Sequence, residues 1–466
     1  MLLRFALPFF LLCGLTLPSL AATDAAQTTF ETRLPNGMHV VVREDHRAPT
    51  AVQMVWYRVG SIDEHDGVTG VAHVAEHMMF KGTPSVGPGE FNRRVAAIGG
   101  RDNAFTSTDY TAYFQQVPAS QLKTVMTLEA DRMRHLTLDP GGYGKEIQVI
   151  MEERRMRTDD QSTARVHEAM NAVAWQAHPY RRPIIGWMSD LEQMQVGDVR
   201  DWYRRWYVPN NATLVVVGDV SHARVFDWAR ETYGRIPARA LEGRKQYEEP
   251  LQAGMRQLEV KAPADLPLLV MGWKAPRLVD PKEDVDPYAL EILAQILDGH
   301  EGARLPAALV REQQVAVSVD ASYDMVNRGP SMFILQASPR PGHTVVELEQ
   351  AIRQALAAVA SQGVTEPELT RARSQLRAAE VYKKDSVMGQ AMEIGVLETL
   401  GYGWQASSLM LDKLNAVTAA DVQRVAQIYF KDEQLTIARL VPQPLDDAEM
   451  MARAKRAQAA QGQGHH

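Results

Sequence analysis

The run His73-Val74-Ala75-Glu76-His77 places two imidazoles and a carboxylate within five residues. Read as a helix, the histidines four apart share one face, and Glu76, three past His73, borders it. Two imidazoles with an adjacent carboxylate are what a catalytic zinc site draws from one helical turn. The order is the inverted one, His-x-x-Glu-His. In that chemistry His73 and His77 hold the metal. Glu76 is the general base, taking a proton from water whose pKa the metal lowers to about 7 and passing it to the leaving amine.

Catalytic zinc commonly takes three protein ligands and leaves a fourth position open, so a further donor must come from elsewhere. Downstream lies Glu146-Ile147-Gln148-Val149-Ile150-Met151-Glu152-Glu153. Glu146, Glu153 and Arg157 fall at helical spacing, with Val149, Ile150 and Met156 available as a buried stripe. Two carboxylates seven residues apart lie two turns apart on one face, so one can bind metal while the other orients a ligand histidine. Glu152 competes with Glu153 but lies about 100° round the helix from it.

With these segments in view the chain resembles the M16 zinc peptidases, bacterial M16B-type, whose relatives include pitrilysin, insulin-degrading enzyme and the mitochondrial processing peptidase. The resemblance is carried by His73 to His77, Glu146 to Glu153 and Gly99-Gly100-Arg101-Asp102-Asn103-Ala104-Phe105-Thr106-Ser107, and runs from about Thr29 to Pro442. In that family the metal-binding Glu follows the second motif His by 76 or 77 residues, and Glu153 follows His77 by 76. The resemblance thus implies a metalloendopeptidase holding one Zn2+ per chain on His73, His77 and Glu153, with Glu146 behind the ligands. It implies substrate binding at Asn103 and Ala104.

One departure stands out. Many active members carry, in the second half, an Arg followed seven residues later by a Tyr, and this pair contacts the substrate. Arg311 is present, but Val317 stands at the Tyr position and the segment is one residue shorter. Tyr323 lies too far along to substitute without rearrangement. The resemblance therefore points to a homodimer, or to a heterodimer whose homologous partner carries the Arg/Tyr pair. In the latter case the chain on its own is a metal-binding but poorly active subunit.

The segment from Gly99 to Tyr113 reads as a strand, with Phe105, Ser107, Asp109 and Thr111 alternating with Thr106, Thr108, Tyr110 and Ala112. Its glycine pair permits close backbone approach, and an edge strand can add an extended peptide through main-chain hydrogen bonds.

The elements that must position these groups form a repeat. Asp198-Val199 leads through Trp206-Tyr207 to Thr213-Leu214-Val215, and 223 residues later Asp421-Val422 leads through Tyr429-Phe430 to Thr436-Ile437-Ala438. Leu191 and Leu414 sit just upstream of each. Each copy reads as helix, turn and strand, so the chain is a tandem duplication. Leu34-Pro35-Asn36-Gly37-Met38 signals a hairpin turn before Val40-Val41-Val42. The expected class is α+β: two homologous α/β-roll halves, each a mostly antiparallel sheet with helices on one face. The resemblance implies that they close into a clam-like chamber. Expected boundaries are a signal peptide over 1–21, a zinc-binding half over 22–240, a linker over 241–252, a homologous half over 253–445 and a polar tail over 446–466.

Met1 to Ala21 has the charged start (Arg4), apolar run and small-residue end of a secretory leader; the run is short for a membrane span and Pro8 interrupts it, the alternative being an uncleaved anchor. The single cysteine, Cys13, lies inside it, so the mature chain has no thiol or disulfide, which suits periplasmic or secreted export. The net charge of −7 becomes −8 without Arg4, and no basic block favours nucleic acid. His465-His466 reads as tail.

Overall fold

The computed structural model describes residues 28–244, 247–444 and Met451. The leader with Cys13, and the tail with His465 and His466, lie outside the described residues.

The first half runs β1 (Thr29–Arg33), β2 (His39–Glu44), β3 (Thr50–Tyr57), α1 (Val71–Met78), α2 (Glu90–Ala97), β4 (Arg101–Thr106) and β5 (Thr111–Pro118). It continues through α3 (Leu122–His135), α4 (Pro140–Arg154), α5 (Ser162–Ala174), α6 (Met188–Gln193), α7 (Val196–Trp206), β6 (Ala212–Gly218) and α8 (His222–Glu231). The second half runs β7 (Arg256–Pro263), β8 (Leu268–Ala275), α9 (Asp286–Asp298), β9 (Ala316–Ser322), β10 (Ser331–Pro339) and α10 (Val345–Gln362). It ends with α11 (Glu366–Asp385), α12 (Val387–Leu400), α13 (Ala406–Ala416), α14 (Ala419–Tyr429) and β11 (Leu435–Gln443).

The strand order is β1-β2-β6-β3-β5-β4 in one sheet and β7-β11-β8-β10-β9 in the other. Removing β1 leaves the same order twice. Among the described residues only β2 with β6 and β7 with β11 are parallel, and the remaining pairs are antiparallel. The Leu34 to Met38 turn closes the β1–β2 hairpin with Gly37 at φ +87°, a conformation side chains disfavour. The repeated segments become α7 with β6 and α14 with β11. Each helix opens on the same device: Asp198 accepts from the Gln195 N–H at 2.8 Å, and Asp421 from the Thr418 N–H at 3.0 Å.

Both faces of each sheet are buried. On β3, Ala51, Val55 and Tyr57 pack toward the helices of their own half, while Val52, Met54 and Trp56 point the other way. That second face is covered by α12 of the opposite half through Ala391 and Ile394. The arrangement is reciprocal. Leu268 and Val270 of β8 and Ala438 and Leu440 of β11 are covered by Val166 and Met170 of α5. Each half thus lends one helix to the other. The sequence VMGQAMEIGVLETL of α12 is apolar nearly all round, as expected of a helix packed on more than one side.

The exchange demands small residues. A Cβ on Gly395 would stand 1.9 Å from the Trp56 indole, and one on Gly272 of β8 would stand 2.3 Å from the Met170 terminal methyl. The indole is rigid and fully buried, whereas the methionine end can turn aside. Gly395→Ala is therefore expected to destabilise the chain by about 2 kcal/mol or more even after its helix-propensity gain, and Gly272→Ala by less than about 1 kcal/mol. Thermal unfolding checks this, and equal losses would contradict the packing argument.

Candidate metal centre

Helix α1 is short, and its placement is enforced from outside. Glu64 is fully buried and accepts from the Gly70 and Ala72 N–H groups at 2.9 Å each, putting a carboxyl at the helix's positive end. Burial raises this carboxyl to about 8, against the two N–H bonds. Asp190 of α6 gathers the preceding loop, accepting from the Gly67 N–H, the Thr69 N–H and the Thr69 hydroxyl at 3.1, 3.1 and 2.6 Å. Val71, Val74 and Met78 then anchor the apolar face of α1, which turns His73, Glu76 and His77 toward α4 and β4.

Helix α4 starts at Asp139, which caps the Gly142 N–H at 2.7 Å ahead of Pro140. Its buried side is Tyr143, Ile147, Ile150 and Met151. Val149, expected in that stripe, is 45% exposed instead. The α-helical period also ends at Arg154, where a wider π turn spans Arg155–Asp159 and leaves Met156 only partly buried. The shift from Val149 to Ile147 and Met151 leaves Glu146 and Glu153 on the side facing α1.

Glu153 Oε2 lies 3.4 Å from His77 Nε2 and 3.8 Å from His73 Nε2. All three donor atoms fall within 4.8 Å of one another. Ligands about 2.0–2.1 Å from a tetrahedral zinc ion stand about 3.4 Å apart, so this donor set fits one, with the fourth position left to water or substrate. The other Glu153 oxygen is held by Arg157 at 2.8 Å. His77 Nδ1–H donates to Glu146 Oε1 at 2.9 Å, and Lys81 holds Glu146 Oε2 at 2.5 Å, an arrangement that fixes the ring and its tautomer. Glu152 points elsewhere, to Arg155 at 3.0 Å. His73 Nδ1 is buried and without a hydrogen-bond partner among the described residues.

The two histidines titrate apart. Burial, with His77 nearby, pushes His73 down to about 4, so it is neutral, with the lone pair of one ring nitrogen available to a metal. Burial would also lower His77, but its hydrogen bonds to Glu146 and Glu153 outweigh this and raise it to about 9. Burial raises Glu76, opposed by a hydrogen bond from Thr106, whose hydroxyl donates to Glu76 Oε2.

Thr106 ends β4, the exposed edge of its sheet. The expected single strand over Gly99 to Tyr113 is instead two strands, β4 and β5, with a turn at 107–110. Ser107 makes the turn by accepting from the Asp109 and Tyr110 N–H groups at 3.1 and 3.4 Å, an alternative to strand pairing. Asn103 is exposed on β4 with its side chain accepting from the Ala104 N–H at 2.9 Å, and Ala104 is half-buried. Arg311 is not gathered in. It sits exposed on the π-helical segment Pro306–Glu312, and its side chain makes no hydrogen bond or ion pair among the described residues. Thr106, Lys81 and Glu64 were not singled out from the sequence. Lys81 carried a usable signal, one helical turn past His77. Thr106 carried none beyond its place in the strand.

The β4–β5 turn is tied to the second half. Arg328, between β9 and β10, grips Asp63 bidentately at 2.8 and 2.9 Å, and Arg244 joins the same carboxylate at 3.0 Å. The Arg328 N–H donates to Asp109 at 3.0 Å, and the Tyr180 hydroxyl donates to the same carboxylate at 2.7 Å.

Two duplicated α+β halves with a His–His–Glu centre beside an open strand edge make a metallopeptidase fold. The model described as Insulinase (Peptidase family M16) matches residues 39–187, and that described as Peptidase M16 inactive domain matches residues 193–376. The chain belongs to peptidase family M16, a family of zinc proteases. The zinc protease PqqE of Helicobacter pylori is 30% identical over 424 residues, covering 88% of this chain and 92% of PqqE. A crystal structure of a protease from Helicobacter pylori superposes with a TM-score of 0.84 at 28% identity, over 89% of this chain and 99% of that one. The probable mitochondrial-processing peptidase subunit beta of Arabidopsis thaliana is 26% identical over 432 residues, covering 90% of this chain and 79% of that subunit.

Arg328→Met leaves the buried Asp63 with Arg244 as its one remaining guanidinium partner among the described residues and is expected to cost about 2 kcal/mol, seen as a lower urea midpoint. A loss below about 1 kcal/mol would mean that the pair does not hold the halves together.

Proposed function

We propose that the chain is an exported zinc metalloendopeptidase that hydrolyses unfolded or short polypeptides. The observation carrying this reading is the convergence of His73 Nε2, His77 Nε2 and Glu153 Oε2 beside Glu76 and the edge of β4. One zinc ion per chain would be held by these three donors, with Glu146 fixing His77. When bound there, it supplies Lewis acidity that activates water and polarises the scissile carbonyl.

The rest is the work of the chain. The Thr106 hydroxyl occupies Glu76 Oε2, which leaves Oε1 to accept the proton of the attacking water and return it to the departing amine. Burial strengthens Glu76 as a base. The free edge of β4 at Asn103 and Ala104 suits an extended peptide added as one more strand, which favours unfolded substrates. Among the described residues no helix is long and apolar enough to cross a membrane. Removal of a leader over 1–21 would leave a cysteine-free chain with a zinc-binding half over 22–240, a linker over 241–252 and a second half over 253–445. That composition suits the periplasm or the exterior.

A second reading is favoured by β9. Val317, at the position of the expected Tyr, is 46% exposed. Tyr323 cannot replace it, because its ring stacks on Phe333 and its hydroxyl donates to the Pro276 carbonyl at 2.5 Å. In this reading the chain is the metal-binding subunit of a heterodimer, and a homologous partner completes the clamp around Arg311. In the first reading the same surface serves a homodimer.

Purified mature chain is expected to cleave fluorogenic peptides, and Glu76→Gln to lose about 10²- to 10⁴-fold in kcat while retaining zinc. Zinc bound without cleavage by the parent chain would favour the heterodimer. His77, raised to about 9, holds a proton at pH 7 that zinc must displace. Zinc uptake should therefore release about one proton per chain, with affinity falling as pH falls below about 9, measurable by calorimetry in buffers of differing ionisation enthalpy. Glu146→Gln should weaken zinc binding about 10- to 100-fold in chelator competition.

A further inference from the structure

The second half holds a counterpart of the metal centre built from different residues. Helices α9 and α11 occupy there the places of α1 and α4 in chain order. Glu380 lies thirteen residues past Pro367 in the first turn of α11, as Glu153 lies thirteen past Pro140 in the first turn of α4. Helix α9 carries no histidine. In place of a metal centre there is a cavity of about 510 Å³ between α9, α11, α12 and α13.

Its walls are apolar, among them Leu376, Met392, Val396 and Met410. Four acids reach it: Glu291 from α9, Asp324 from the loop after β9, Glu380 and Glu393. One cation, Lys383, lines it and lies 3.6 Å from Glu380. Glu380 and Glu393 share the Ser407 hydroxyl at 3.3 and 2.7 Å. Glu291 makes no ion pair among the described residues. Burial, with Asp324 adding repulsion, raises its carboxyl to about 7 against the charge of Lys383 and a hydrogen bond with Gln295, so an arriving cation would favour its ionised form.

The cavity shares two lining residues with a recess beside the β4–β5 turn. Tyr323 and Asp324 also line a second recess of about 300 Å³, whose other wall is Thr108, Trp175 and Tyr180 of the first half. Thr108 lies two residues past Thr106, the residue that contacts Glu76. A peptide extended along β4 advances about 3.3 Å per residue, so a few residues carry it from Glu76 to this rim.

We propose that this cavity binds a basic side chain of the polypeptide substrate, several residues from the scissile bond, with the apolar stem against the methionine-rich wall and the cationic head at Glu291. This rests on the reading of the chain as a peptidase. Lysine and arginine bury their stems in this way while their heads find a charge. The volume also admits an apolar neighbour of the basic residue.

The test uses the full mature chain and labelled peptides that differ only in one arginine, moved along the sequence, against norleucine at the same place. Binding is read by fluorescence anisotropy on the Glu76→Gln chain, and kcat/KM on the parent chain. One arginine position is expected to bind about tenfold tighter, a difference of about 1.4 kcal/mol. The isosteric Glu291→Gln and the space-filling Met392→Trp should each erase that difference, with the fold checked by circular dichroism. A preference that survives in both variants, or no preferred position at all, overturns the proposal. Position-independent cleavage would overturn the cavity's role and leave the peptidase standing. An arginine preference in binding, erased by both variants, with no cleavage by the parent chain, would support the cavity and overturn the peptidase reading.

Discussion

Each sheet of this molecule has two apolar faces, and its own half supplies helices for only one. That imbalance governs the rest of the structure. An uncovered face of Val41, Val52, Met54, Trp56, Val215 and Val217 would be a large exposed hydrophobic patch, and the exchange of α5 and α12 removes one from each half. The relative placement of the halves is therefore a consequence of core formation. The polar ties follow the same seam: Gln390 of α12 donates to Asp45 at 2.8 Å, and Glu398 of α12 lies 3.1 Å from His39 of β2. The Arg328–Asp63–Arg244 cluster closes the seam near the β4–β5 turn.

The candidate centre depends on this rigidity because it assembles groups that repel or resist burial. His73 and His77 are adjacent imidazoles, and Glu76 and Glu153 are partly desolvated carboxylates. Their positions are over-determined by outer contacts: Glu64 at the start of α1, Asp190 at the loop before it, Arg157 on Glu153, and Lys81 through Glu146 on His77. A metal site of this kind gains precision from such partners more than from its own ligands. The convergence of donors that would otherwise separate is what a divalent cation would stabilise.

Duplication gave two copies of one architecture and let their chemistry diverge. The first copy presents histidines and a carboxylate at the junction of two helices and an edge strand. The second presents acids and methionines around a cavity at the corresponding helices, and an edge strand, β9, on which Val317 is exposed, as is Arg311 in the segment before it. The family description of residues 193–376 as an inactive domain accords with the absence of histidines from α9.

Much of this was legible in the chain itself. The spacing of His73, Glu76 and His77 is a property of one helical turn, and the repeated Asp-capped helix with its following strand declares the duplication. Both are local, because helical period and capping act over a few residues. Where neighbours intervene, local pattern fails. Alternation over Gly99 to Tyr113 looked like one strand, but the Ser107 side chain competes for the backbone and makes a turn. Val149 looked like core, but a helix buries only the face its partners leave it. The contact of Glu153 with His73 and His77, the hydroxyl of Thr106 on Glu76, and the grip of Arg328 on Asp63 join residues from 30 to 265 positions apart. Only the packing of both sheets, each covered by the other half's helix, decides such contacts, because burial is a property of the assembled core and not of any segment.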